Sequence, residues 1–73
     1  MGEGGHPKID GERLRELRMS RGLTLRRLEQ ASGVPYERLN ELELGGGAAE
    51  DSTIEELADA LDVEPSELLA EDA

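Results

Sequence analysis

Residues 24–42, TLRRLEQASGVPYERLNEL, decide the fold. Thr24 has a hydroxyl that can accept a hydrogen bond from the first turn of a helix, so a helix starts beside it. That helix runs through Ala31, with Leu25 and Leu28 on one face. Ser32-Gly33 breaks it. Pro35 opens the next helix, because its fixed φ suits a first turn and its missing N–H would be unpaired there anyway. Leu39 and Leu42 give this second helix its apolar face. Two short helices joined by a glycine-containing turn make the helix-turn-helix pattern, whose second helix can lie in a DNA major groove. The same spacing also suits two helices packed together for structural reasons alone.

Upstream, Leu14, Leu17 and the segment from Arg18 to Arg21 recur at helical steps, which predicts a helix from about Asp10 to Arg21 stopped by Gly22. Downstream, Gly45-Gly46-Gly47 ends the helix that Pro35 opens. Ser52 and Glu55 then form an S-x-x-E capping box, followed by a stripe of Ile54, Leu57, Ala58 and Leu61. A short fifth helix follows Pro65-Ser66 and contributes Leu68 and Leu69. No stretch alternates with period two, so no strand is expected. The fold class is therefore all-α, a compact five-helix bundle over residues 9–70. A glycine-rich flexible leader (1–8) precedes it and a short tail (71–73) follows.

Composition narrows the chemistry. The chain has 73 residues, no cysteine, one histidine, eight Lys+Arg against 18 Asp+Glu, and a net charge of −10. No disulfide or thiolate metal site is available to so small a core, and His6 belongs to the leader. Without Cys or His in the folded part, the usual nucleophile and base pairs are missing. Ser32, Ser52 and Ser66 are explained by turns and caps. Adjacent carboxylates such as Glu55-Glu56 read as a solvated face, and no EF-hand or zinc spacing occurs. The reading is a non-enzyme with no cofactor, no metal and no catalytic residue. No run of four apolar residues exists, so neither a membrane span nor a signal peptide is expected, and the expected compartment is the cytoplasm.

Charge is unevenly distributed. Residues 1–34 carry seven bases and five acids, net +2, whereas residues 35–73 carry Arg38 against 13 acids, net −12. Arg13, Arg15, Arg21, Arg26 and Arg27 could form a basic patch along the first two helices, or could pair with Glu12, Glu16 and Glu29 on a solvated surface. The patch could also meet the acidic half of another copy.

The strings RLRELR (13–18), RGLTL (21–25), SGV (32–34), LNELELG (39–45) and TIEELADALDV (53–63) resemble the Cro/C1-type, or XRE, helix-turn-helix family of phage repressors and bacterial regulators. The match runs in continuous register over about residues 9–69. The resemblance implies a lambda-repressor-like five-helix domain that dimerises, binds a palindromic operator through its third helix and represses transcription. It assigns Arg18 and Glu43 to an enclosed ion pair joining the first helix to the end of the third, and Gly33 to the turn.

The family register also places Thr24, Leu25, Arg26, Tyr36, Glu37, Asn40 and Glu41 towards phosphates or base edges, with Leu25 standing where Gln is frequent. Glu37 and Glu41 lie one turn apart and oppose the phosphates' field, although a carboxylate can accept from cytosine N4. In the loop after the third helix, where relatives carry Lys or Arg, the backbone N–H of Gly46 is the candidate phosphate donor, the other reading being a flexible loop that binds no ligand. The loop is no P-loop, since no Gly-Lys-Ser/Thr follows it.

The resemblance puts Ala where this chain has Glu29, at a close helix crossing. Glu29 must snorkel outward, with Arg38 as its neighbour, or widen the crossing, so Glu29→Ala is expected to raise thermal stability. Two functions follow. The first is a sequence-specific DNA-binding transcriptional regulator, a repressor, with double-stranded operator DNA and a second copy as partners. The alternative is a protein-interaction module whose acidic half engages a basic partner. Leu68 and Leu69 are candidates for the dimer surface.

Overall fold

The computed structural model describes residues 7–70. Residues 1–6 of the expected leader and the expected tail 71–73 lie outside the described residues. The chain forms a short strand β1 (Lys8–Ile9), helices α1 (Gly11–Ser20), α2 (Leu25–Ser32) and α3 (Tyr36–Gly45), a second strand β2 (Gly47–Ala48), helix α4 (Asp51–Leu61) and a 3-10 turn (Pro65–Leu68).

The first two helices begin for a local reason. The Asp10 carboxylate accepts from the Arg13 N–H at 3.2 Å and opens α1, while Thr24 Oγ1 accepts from the Arg27 N–H at 3.0 Å and opens α2. Each contact satisfies one of the backbone donors that a helix leaves unpaired in its first turn. Gly33 closes α2 at φ +84°, in the left-handed region where a side chain is strained, and so makes the sharp turn into α3.

Pro35, the residue before α3, has no side-chain acceptor, and the missing cap comes from the preceding helix. The Glu29 carboxylate accepts from the Tyr36 N–H at 3.2 Å, and its other oxygen lies 3.6 Å from Arg26. Arg38, the neighbour expected for Glu29, instead contacts Glu41 at 3.4 Å and the Ala48 carbonyl at 2.8 Å. Glu29 is therefore the cap that joins α2 to α3, and the expected gain from removing it reverses sign. Glu29→Ala should lower stability by about 1 kcal/mol, the usual worth of a lost cap. For a domain of this size that is a melting temperature lower by about 4–8 °C. A calorimetric melt checks the sign directly.

The core is one cluster. Leu14 and Leu17 from α1, Leu28 from α2, Leu39 and Leu42 from α3, and Ile54, Leu57, Ala58 and Leu61 from α4 are buried together with Ile9, Val34, Ala49 and Leu68. No polar residue is buried among the described residues. The stripes read from leucine spacing are thus the stripes that pack.

Four expectations need correction. The structure has four α-helices and a 3-10 turn rather than five helices. The last segment stops because Leu69 turns extended and bridges Ile9 instead of continuing the helix. A two-stranded antiparallel ladder, Lys8 opposite Ala48 and Ile9 opposite Gly47, exists where no strand was expected, and two residues are too few to show period two. It forms because the buried Ile9 segment must find partners for its backbone: Pro7 O accepts from Ala49 N–H, and Lys8 O from Ala70 N–H. Lys8, included in the expected leader, is therefore part of the fold. Lastly, α4 starts at Asp51 beside Glu50 with no side-chain cap, so the Ser52 box is absent. A comparable contact appears at the 3-10 turn, where the Glu67 carboxylate accepts from the Glu64 N–H at 3.4 Å.

Candidate nucleic-acid interface

Arg18 and Glu43 fix the frame on which the interface is built. Arg18 Nε donates to Glu43 Oε2 at 2.6 Å and a terminal nitrogen donates to Oε1 at 3.0 Å. The remaining nitrogen donates to the Leu23 carbonyl at 2.7 Å. The two side chains are 13% and 6% exposed. This two-pronged contact uses the planar fork of the guanidinium and ties α1, the α1–α2 loop and the end of α3 together. The hydrogen bonds that Arg18 donates to Glu43, aided by the carboxylate's charge, hold the Arg18 pKa above the ordinary arginine value against the opposing effect of burial. The pair expected from the family register is present with the expected geometry.

On this frame α2 and α3 pack against each other and the outer face of α3 is left uncovered. Glu37, Asn40 and Glu41 are exposed on it. Leu44, one turn beyond Asn40 and two beyond Glu37, continues the same stripe at 80% exposure. Thr24, Leu25, Arg26 and Tyr36 line one open depression of about 580 Å³ at the start of α2. Within it the Arg26 guanidinium lies over the Tyr36 ring, 4.4 Å from its centre, which holds the cation at the junction of the two helices. A second open depression of about 250 Å³ connects Leu25 with Asn40 and Leu44.

The charges on this surface are partly compensated. Glu41 is paired with Arg38, whereas Glu37 has no ion-pair partner among the described residues. Arg13 turns to Glu16 and Glu67, and Arg26 to Glu29. Arg15 and Arg27 are exposed and unpaired among the described residues. Of the expected basic patch, Arg13 and Arg26 are thus paired with acids, Arg21 donates to Ser20 Oγ and the Asp62 carbonyl, and Arg15 and Arg27 are left without an acidic partner among the described residues.

Gly46 departs from its expected role. Its N–H donates to the Leu42 carbonyl at 2.7 Å, and it lines neither depression. A Cβ there would stand 2.6 Å from the Ile9 carbonyl oxygen, with φ at +67°. The glycine is required by the approach of β1 to the end of α3, and its backbone donor is already occupied. Leu68, offered as a dimer contact, is fully buried, and only Leu69 beside it is partly accessible.

Sequence reasoning missed Leu44 and Gly11. Leu44 had a signal, an apolar residue off the Leu39/Leu42 stripe, whereas Gly11 had none because its constraint comes from α3.

The sequence model of a helix-turn-helix family, HTH_3, matches residues 14–68. The chain belongs to that family. Its fold is similar to that of the restriction-modification controller protein C.AhdI from Aeromonas hydrophila. The identity is 40%, the TM-score 0.73, and the match covers 78% of this chain and 86% of that one. It is also similar to part of a hydroxyethylphosphonate dioxygenase, solved as a Y98F mutant. There the identity is 32%, the TM-score 0.74, and the match covers 89% of this chain but 14% of the enzyme. PhpD, solved with cadmium, gives the same identity and coverage with a TM-score of 0.71. No curated protein matches the sequence. The family match and the likeness to a controller protein support a DNA-binding transcriptional regulator, and the protein-interaction alternative is not favoured. The dioxygenase likeness spans so little of that enzyme that it carries a helical module and no chemistry. Among the described residues no helix is long and apolar enough to cross a membrane.

Proposed function

We propose that the chain is a repressor that binds a palindromic operator as a homodimer, with α3 in the major groove and the start of α2 against the phosphate backbone. The observation that carries this reading is the uncovered outer stripe of α3, continuous with the depression where Thr24, Leu25, Arg26 and Tyr36 meet. Asn40 is the polar base reader, since an amide pairs with adenine N6 and N7. Arg15, Arg26 and Arg27 are the phosphate contacts, and Thr24 sits at the helix end nearest them. Two-fold pairing follows from the way helix-turn-helix readers address half-sites one helical turn apart. The site of action is the cytoplasm, where the operator is accessible.

Enrichment from a randomised duplex pool at about 50 mM salt tests the reading, since phosphate-dependent binding is strongest at low ionic strength. A palindromic site should emerge, and its affinity should fall steeply as salt rises. Recovery of no site would overturn the proposal. Arg27→Gln should lower the salt slope by about one.

The two glutamates on the stripe oppose the phosphates. Glu37→Gln and Glu41→Gln should each raise affinity by about two- to five-fold, as befits exposed charges worth a fraction of a kcal/mol to 1 kcal/mol. Fluorescence anisotropy on the enriched site reads this effect, and weaker binding by both variants would show that the carboxylates contact bases favourably.

A further inference from the structure

Glu29, Arg26 and Tyr36 close a triangle at the junction of α2 and α3. Glu29 Oε2 accepts from the Tyr36 N–H at 3.2 Å, Oε1 lies 3.6 Å from an Arg26 nitrogen, and the Arg26 guanidinium lies 4.4 Å from the centre of the Tyr36 ring. An exposed ion pair within one helical turn holds an arginine loosely by itself. The ring face adds a second hold, and the two together leave the guanidinium few orientations. The Arg26 side chain is still 72% exposed, so its fork of N–H groups is open to an anion from outside.

This placement joins two parts of a DNA reader. Arg26 belongs to the first turn of α2, and its partners fix it relative to Tyr36, the first residue of α3. Phosphate contacts set register and orientation on a duplex, whereas bases are read by the N-terminal residues of the second helix. An arginine that grips phosphate while tied to the start of α3 passes that register to the turns that carry Glu37 and Asn40. By charge alone the half-buried Glu29 would oppose DNA. Resting on the operator-binding reading above, we infer that Glu29 is instead a positioning residue for recognition, holding the Arg26 guanidinium against Tyr36 so that one phosphate contact fixes the start of the reading helix.

Glu29→Gln tests this, because the amide keeps an oxygen for the Tyr36 N–H and loses the charge that holds Arg26. The variant should melt close to the parent chain. Its affinity for the enriched operator, read at fixed salt by fluorescence anisotropy, should fall by about three- to ten-fold, since Arg26 must then be ordered on binding. In an Arg26→Gln background the same change should cause no further loss. Tyr36 is the one aromatic residue of the chain, so the tyrosine band in near-ultraviolet circular dichroism reports this junction alone. That band should weaken to a similar extent in Glu29→Gln and Arg26→Gln before any DNA is added, and a band unchanged by Glu29→Gln overturns the positioning role whatever the DNA result. Unchanged or tighter operator binding by Glu29→Gln would leave the carboxylate as, at most, a charge opposing phosphate. Equal weakening in both backgrounds would make it a support of the fold only. Either result overturns the inference while operator binding stands. If the pool yields no site, the operator-binding reading falls first and takes this inference with it.

Discussion

Glu43→Ala is expected to destabilise the protein by about 3–5 kcal/mol, because it leaves the Arg18 guanidinium enclosed without its counter-charge. At about 0.05–0.15 kcal/mol per residue a chain this long has only about 4–11 kcal/mol in total, so the variant should lose a large part of its stability. The effect is large for a geometric reason. Arg18 uses all three of its nitrogens, two on Glu43 and one on the Leu23 carbonyl, and neither side chain is more than 13% exposed. Exposed pairs such as Arg38 with Glu41 lack that enclosure and are worth about 1 kcal/mol or less. Glu43→Gln preserves the shape and one acceptor, so its loss should be smaller. Replacing both partners by apolar residues, as in Arg18→Met with Glu43→Leu, should recover much of the loss, since no charge is then left buried. Urea denaturation followed by far-ultraviolet circular dichroism measures the series. A Glu43→Ala midpoint indistinguishable from the parent would show that the pair contributes nothing to folding.

Gly11→Ala should be nearly as damaging, against its helix propensity. In an open helix this change stabilises by about 0.5–1 kcal/mol, because glycine loses more backbone freedom on folding. Here Gly11 is buried at the start of α1, and an added Cβ would overlap the Leu42 carbonyl oxygen. It would also stand 2.9 Å from the Glu43 carbonyl oxygen and 3.0 Å from the Gly46 nitrogen. These are backbone atoms of α3 and its C-terminal cap, so no rotamer change relieves the overlap. The helices must separate, which costs about 1–3 kcal/mol or more by the usual measure of an overfilled core. Separation would also strain the nearby Arg18–Glu43 contact, so Gly11→Ala and Glu43→Ala should be less than additive. Gly45→Ala is the control, because nothing lies within 4 Å of its Cβ position. It should be neutral or slightly stabilising, and equal thermal melts for the two alanine variants would remove the steric account.

The comparison of Glu29 with Arg18 shows how far residue order alone reaches. Arg18 and Glu43 are 25 positions apart, yet the family register paired them correctly, because both sit at fixed steps in helices whose apolar stripes were already legible. The same register makes Glu29 a misfit at the helix crossing, whereas in the structure it is a cap. Its partner is a backbone N–H exposed at the start of α3, and a vacant donor leaves no mark in a list of side chains. The interface divides in the same way. The family register places Thr24, Leu25, Arg26, Tyr36, Glu37, Asn40 and Glu41 towards DNA; the first three and Tyr36 line one depression, and Glu37, Asn40 and Glu41 are exposed on α3. Gly46 does not join them, because the approach of Ile9 claims both its conformation and its donor.

By itself, then, the sequence determined the four α-helices, their buried leucine stripes, the glycine turn between α2 and α3, and the acidic character of the second half. These are properties of neighbours within a few residues of one another, governed by helical period, by caps and by backbone freedom. Only the tertiary structure decided the Lys8–Ile9 strand, the end of the 3-10 turn at Leu68, the capping of α3 by Glu29 and the necessity of Gly11. Each of these depends on which backbone groups and surfaces meet across the fold. Unpaired peptide groups and excluded volume act between segments far apart in the chain and leave no periodic signal along it.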